Sequence, residues 1–114
     1  MNPDCLFCKI AAKELPATVV YEDDAMVAFK DIKPVAPVHV LIVPRKHAPS
    51  VAELAPGDTL LVGEMIRRAQ QLAEELGIAD RGYRLVFNVR KHAGQVVDHI
   101  HLHLIGGQAL GRMA

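Results

Sequence analysis

The chain has 114 residues and a mass of 12.5 kDa, the size of one domain, so residues 1–114 are read as a single unit. Thirteen Lys plus Arg balance thirteen Asp plus Glu, which leaves no net charge to draw a nucleic-acid backbone or an anionic membrane surface. The longest run free of Asp, Glu, Lys and Arg, residues 99–111, falls short of the ~18 to 20 apolar residues of a membrane span and holds three histidines. The opening Met1, Asn2, Pro3 and Asp4 has neither a basic nor an apolar leader character, so a cytoplasmic protein is expected, with no nucleic-acid or membrane partner.

Cys5 and Cys8 stand three positions apart, Cys5 just before Leu6 and Cys8 between Phe7 and Ile10; Leu6, Phe7 and Ile10 are at helical spacing, and a short first helix is expected over residues 6–13. Residues 18–22 and 25–29 are β-rich runs separated by Asp23 and Asp24, a two-residue turn between strands one and two. Residues 33–37 hold two prolines and form a loop, and the apolar run 38–43 reads as a central strand ending at Pro44. Pro56, Gly57 and Asp58 start a long helix in which Leu61, Met65, Ala69, Leu72 and Leu76 recur every three or four residues until Gly77. Glu64 and Arg68 make an i, i+4 pair expected on its solvent side. Alternation over residues 83–88 and again over 98–105, after a loop containing Gly94, predicts two more strands paired antiparallel. Strands broken by single helices, without regular βαβ alternation, indicate an α+β fold: a five-stranded antiparallel sheet with one long and one short helix on one face.

His99, His101 and His103 alternate with Ile100, Leu102 and Leu104, so an extended chain puts three imidazoles on one face, about 6.7 Å apart between neighbours. Three imidazoles side by side cost desolvation with no hydrophobic gain, which points to chemistry rather than packing. Two chemistries compete: three ligands of a catalytic zinc, or a histidine nucleophile with orienting neighbours. The Cys pair likewise reads as a zinc half-site, a redox pair or two free thiols, the reducing compartment making a structural disulfide the weaker choice.

The pattern His, apolar, His, apolar, His, apolar, apolar over residues 99–105 resembles the motif of the histidine triad (HIT) family. The likeness extends to residues 5–10, 20–34, 38–47 and 83–88, to Gly94 and Gln95 ahead of the triad and to Gly106 and Gly107 after it, and it is similar to the Hint branch of purine nucleoside phosphoramidate hydrolases. The resemblance implies a homodimer with a ten-stranded sheet, no organic cofactor, and a substrate that is a purine nucleoside monophosphate or its amine conjugate. It makes His101 the nucleophile, oriented by the backbone carbonyl of His99. His103, Asn88 and the backbone at Gly94, Gln95 and Val96 would surround the phosphate, with His39 nearby; a solvent-exposed strand histidine is the plainer account of His39. Asp31, otherwise a turn-forming acid, would accept from the ribose hydroxyls beside Ile32, and Leu6, Phe7, Ile10 and Phe29, each of which could equally be core, would form the apolar slot for the base. His47 and His99 match positions that bind structural zinc together with a Cys pair, which makes Cys5, Cys8, His47 and His99 the preferred metal site.

The chain departs from the family at Val96, where Ser or Thr is common, at Asp98, at Arg90 and Lys91 in a loop often richer in glycine, and in a tail without tryptophan. Val96 favours the alternative of a nucleotide- or partner-binding module with little catalysis.

Overall fold

The computed structural model describes residues 4–113; Met1, Asn2 and Pro3 of the opening, and Ala114, lie outside the described residues. Five strands, β1 (Val19–Glu22), β2 (Met26–Lys30), β3 (Val38–Pro44), β4 (Tyr83–Val86) and β5 (Leu102–Gly106), form one antiparallel sheet in the order β1-β2-β3-β5-β4. Two helices accompany it, α1 (Leu6–Ala11) and α2 (Thr59–Glu75). The α+β class, the strand count and the long and short helices are as expected.

The helices do not share a face. Strand alternation divides β3 into Val40 and Ile42 on one side and His39, Leu41 and Val43 on the other. The first side joins Met26, Ala28, Leu102 and Leu104 under Met65, Ala69 and Leu72 of α2; the second carries Leu41 and Val43 with Val27 and Phe29 under Cys5, Phe7, Cys8 and Ala11 of α1. An apolar run such as β3 is buried on both faces, so each face needs a cover, and the short helix supplies the second. Arg45 locks it there, donating from Nη1 to the Ala11 carbonyl at 2.8 Å and from Nε to the Asp23 carbonyl at 2.8 Å. The first apolar stripe is also revised: Phe7, Cys8 and Ala11 are buried, and Leu6 is 46% exposed.

Three boundaries move for identifiable reasons. Asp23 Oδ1 accepts the amides of Ala25 and Met26 at 2.8 and 2.9 Å, which makes Asp24 and Ala25 the turn residues instead of Asp23 and Asp24. Strand β4 ends at Val86, and Phe87 packs against the α2-side core. The last strand starts at Leu102, not at residue 98, because the Ile100 amide donates to the Ala48 carbonyl at 2.7 Å and the His99 amide to Val97 at 2.9 Å. The expected Glu64–Arg68 pair gives way as well. Arg68 lies 3.6 Å over the Tyr21 ring and donates to the Tyr21 hydroxyl at 2.8 Å, a cation–π contact joining α2 to β1. Gly106 closes β5 where an added Cβ would come within 2.8 Å of Ile78 Cδ1.

Candidate active site and metal centre

The two covers leave the imidazoles of β3 and β5 on the α1 side of the sheet. Leu41 pairs with His103 and His39 with Ile105, so His39 and His103 sit diagonally across two central strands. Their rings are 5.2 Å apart between centroids, and the His101 and His103 rings 4.9 Å apart. Phe7 of α1 sets its ring edge against His101 at 5.0 Å. His101 and His39 are each 7% exposed, which removes the solvent-exposed account of His39.

Each buried ring is oriented by a main-chain group. His101 Nδ1 donates to the His99 carbonyl at 2.8 Å, leaving Nε2 with the lone pair. His99 Nε2 donates to the Pro44 carbonyl at 2.8 Å, leaving Nδ1 free to accept or to bind a metal. Burial lowers the pKa of His101 and His39, and pushes His99 and His103 down to about 4, with the neighbouring imidazoles adding to the effect. All four rings are therefore neutral at pH 7, the form that a nucleophile or a ligand requires.

His99 Nδ1 faces Cys5 Sγ at 3.3 Å, Cys8 Sγ at 3.5 Å and His47 Nδ1 at 3.1 Å, and His47 Nδ1 faces Cys8 Sγ at 3.3 Å. A tetrahedral ion with bonds of about 2.0 Å to nitrogen and 2.3 Å to sulfur spans ligand-to-ligand edges of roughly 3.3 to 3.8 Å. The four residues come close to that geometry and could hold a metal. Cys5 is the N-cap of α1, its sulfur accepting the Cys8 amide at 3.3 Å, so one turn of helix presents both sulfurs. Burial raises the Cys5 thiol pKa, a cost that a bound cation would offset.

The alternative of a zinc held by His99, His101 and His103 fails on this geometry. His99 Nε2 and His101 Nδ1 are committed to carbonyls, and His99 turns its other nitrogen to the cysteines. The second cluster whose spacing suits a metal is Asp31, His39 and His103.

Asp31 follows β2 and is half-buried; Oδ1 accepts the Lys33 amide at 2.8 Å, a turn-forming contact, and Oδ2 stands 3.4 Å from His39 Nε2. Phe7 and Phe29 are buried and meet edge to face at 5.5 Å, so both are core. Ile10 is half-buried and Ile32 is 89% exposed. A cavity of about 470 Å³ opens beside Ile10, lined also by Lys13, Leu15, Ala17, Val19 and Glu22. Leu15 is a lining residue that the sequence pattern did not single out, because a lone apolar residue before a proline has no periodicity.

Asn88 is half-buried beyond β4, Gly94 takes φ +83°, and Val96 is 91% exposed. The Gln95 side chain is fully engaged: Oε1 accepts the Arg90 amide at 2.7 Å, and Nε2 donates to the carbonyls of Pro49 at 2.6 Å and Val97 at 3.0 Å. Arg90, at φ +63°, holds a conformation suited to glycine and is braced by its guanidinium on Glu53 at 2.9 Å, with Ser50 donating to the same carboxylate. Partners 37 residues apart leave no mark in a sequence pattern.

The HIT domain family model matches residues 12–110. The chain belongs to the HIT family. It is 45% identical over 113 residues to the purine nucleoside phosphoramidase of Escherichia coli K12, covering 99% of this chain and 95% of that protein. It is similar to a HIT family hydrolase from Legionella pneumophila Philadelphia 1, with TM-score 0.93, 50% identity and coverage of 95% and 96% of the two chains. A histidine triad protein from Clostridium difficile superposes with TM-score 0.96 at 39% identity, over 98% and 97%. The chain is a HIT hydrolase by these likenesses, and the sheet with its long helix is the fold they share.

Proposed function

We propose that this HIT protein, residues 1–114 forming one domain, hydrolyses the phosphorus–nitrogen bond of purine nucleoside phosphoramidates through a nucleotidyl-His101 intermediate. The observation that carries the proposal is the His101 Nδ1–H held by the His99 carbonyl at 2.8 Å, which keeps the lone pair on Nε2 for attack. Nε2 forms a bond to the α-phosphorus as the bond to the amine breaks, and the amine nitrogen takes up a proton from solvent as it leaves, which the water of the second step returns when its hydroxyl stays on phosphorus. Water then cleaves the phosphorus–histidine bond, releasing the nucleoside monophosphate and the free imidazole. His103, Asn88 and the main chain of Gly94, Gln95 and Val96 hold the phosphoryl oxygens. Asp31 accepts from the ribose, and Leu6, Phe7, Ile10, Phe29 and Ile32 flank the base. The 45% identity to a named phosphoramidase supports the choice of substrate.

Cys5, Cys8, His47 and His99 hold a structural zinc, whose contribution is to fix His99 and with it the carbonyl that orients His101. Two reduced cysteines suit the cytoplasm. A homodimer with a continuous ten-stranded sheet is supported by the free outer edge of β4, where Leu85 is 37% exposed. No described helix is long and apolar enough to cross a membrane.

Mass spectrometry of protein quenched during turnover of an adenosine or guanosine phosphoramidate tests the reading. A nucleoside monophosphate adduct on His101 is expected. Its absence across several phosphoramidates would leave a nucleotide-binding module, the alternative that the exposed Val96, with no hydroxyl, favours.

A further inference from the structure

Arg90 stands in the loop between β4 and β5 with φ +63° and ψ −170°, a backbone region all but closed to residues that carry a Cβ. It is also one of the positions at which this chain departs from the family. Its peptide groups are tied to Gln95 in both directions: the Arg90 amide donates to Gln95 Oε1 at 2.7 Å, and the Arg90 carbonyl accepts the Gln95 amide at 3.1 Å. Rotation of Arg90 to a negative φ would turn one peptide group away from the other and break this bridge. A glycine would take the same backbone at no steric cost. What arginine adds is a guanidinium that donates from Nε and Nη2 to Glu53 Oε1 at 3.1 and 2.9 Å. Glu53 is itself fixed, because its other oxygen accepts from Ser50, a buried residue whose hydroxyl also takes the Ala52 amide at 3.1 Å. The ion pair is exposed on the Arg90 side and contributes little to overall stability, but both carboxylate oxygens are engaged and its direction is set.

We propose that Arg90 is a positioning residue: its ion pair with Glu53 holds the loop 90–97 in a backbone that suits glycine, and through Gln95 and Val97 it fixes the peptide of His99, whose carbonyl orients His101; this rests on His101 being the nucleophile. The connection runs through hydrogen bonds. Gln95 Nε2 donates to the Val97 carbonyl, and the same carbonyl accepts the His99 amide at 2.9 Å. The loop and the residues after it are fastened at three points to the segment that follows His47: Gln95 Nε2 to the Pro49 carbonyl, the Ile100 amide to the Ala48 carbonyl, and Arg90 to Glu53. Without the third tie, the strain at Arg90 is free to relax by opening the Gln95 bridge. A shift of about 1 Å at a reacting group can cost on the order of 10²-fold in rate, so a brace far from the chemistry is felt there.

Four variants of the full chain separate backbone from charge. Arg90→Ala keeps the strain and removes the brace, whereas Arg90→Gly removes both. With an adenosine phosphoramidate, Arg90→Ala and Glu53→Ala should each lower kcat about 10- to 30-fold with urea midpoints close to wild type, and Arg90→Gly should recover all but about threefold of it. Glu53→Ala added to Arg90→Gly should cost nothing further, because the strain that the pair opposes is gone. Equal loss in Arg90→Ala and Arg90→Gly, or wild-type kcat in Arg90→Ala, would overturn the proposal. Amide hydrogen exchange without substrate reads the loop independently of the reaction. The Gln95 amide should exchange about tenfold faster or more in Arg90→Ala and within about threefold of wild type in Arg90→Gly, with the amides between β3 and β5 unchanged. Gln95 exchange that ignores Arg90→Ala would refute the brace, whatever the fate of the His101 intermediate.

Discussion

Two clusters in this protein each bring two histidines together with a second kind of ligand, cysteine in one and aspartate in the other. In each, the ligand atoms lie within 4.8 Å of one another. In the first, Cys5, Cys8, His47 and His99, a carbonyl on the far side of His99 takes the Nε2 hydrogen and turns a lone pair inward. In the second, Asp31, His39 and His103, an amide on the far side of His39 takes up the lone pair and turns a hydrogen inward. One main-chain group, acceptor or donor, separates a site fit for a metal from a chain of hydrogen bonds. Proximity of histidines alone does not distinguish them; the partner of the outer nitrogen does.

The largest test falls on His101, which touches both clusters through His99 and His103. His101→Gly should lower turnover by roughly 10⁴-fold, while nucleoside monophosphate affinity stays within about tenfold, because in the proposed function binding is shared with Asp31 and the residues that flank the base. Single-turnover rates and equilibrium titration read the two effects, and near wild-type hydrolysis would overturn the mechanism.

Cys8→Ser attacks the first cluster only. Elemental analysis should find about one zinc per wild-type chain and well under half in the variant, with Tm lower by roughly 10 °C. His39→Leu should leave metal content unchanged. Equal metal in Cys8→Ser and wild type would erase the distinction between the clusters.

Acid should act on both clusters, through His99 in the first and His103 in the second. The folded pKa of His103 is pushed down to about 4 by burial, against 6.5 ordinarily, so between those values the unfolded chain binds the extra proton and the folded one does not. The His103 contribution to stability is complete above pH 6.5 and is lost as pH falls toward 4. Urea midpoints at pH 7.5, 5.5 and 4.5 should decline, and His103→Gln should decline less over the same range. Parallel curves would place the acid sensitivity elsewhere.

The smallest effect is expected at Val96. Its side chain is 91% exposed, so Val96→Ser should leave stability within about 0.5 kcal/mol. The new hydroxyl can protonate a departing amine, and it should raise the rate by a few-fold to about tenfold for basic leaving groups only. A series of phosphoramidates of graded amine pKa measures this. A uniform change would show that the proton comes from another group.

Much of this was legible along the chain because it depends on local order. The period of α2, the apolar run of β3 and the alternation around His101 and His103 follow from backbone repeats of 3.6 and 2, so core faces and imidazoles could be assigned from spacing. The family likeness on those residues then singled out His101, whose Nδ1 lies 2.8 Å from the His99 carbonyl. The placement of α1 opposite α2 was not legible, since six residues carry too short a stripe to say which face they cover. Nor was the start of β5 at Leu102, because the amide of Ile100 is claimed by Ala48, 52 positions away.

By itself the sequence determined which residue types stand in which order on each strand, and therefore that imidazoles would face one way and aliphatics the other. Only the tertiary structure decided which nitrogen of each imidazole carries the hydrogen. That choice rests on the carbonyls of Pro44 and His99 and the amide of Val35, main-chain groups that every residue but proline's missing N–H shares, brought to the rings by strand pairing and loop closure. A group that nearly all residues possess leaves no signature in a sequence, and so the tautomers appear only once the chain is folded.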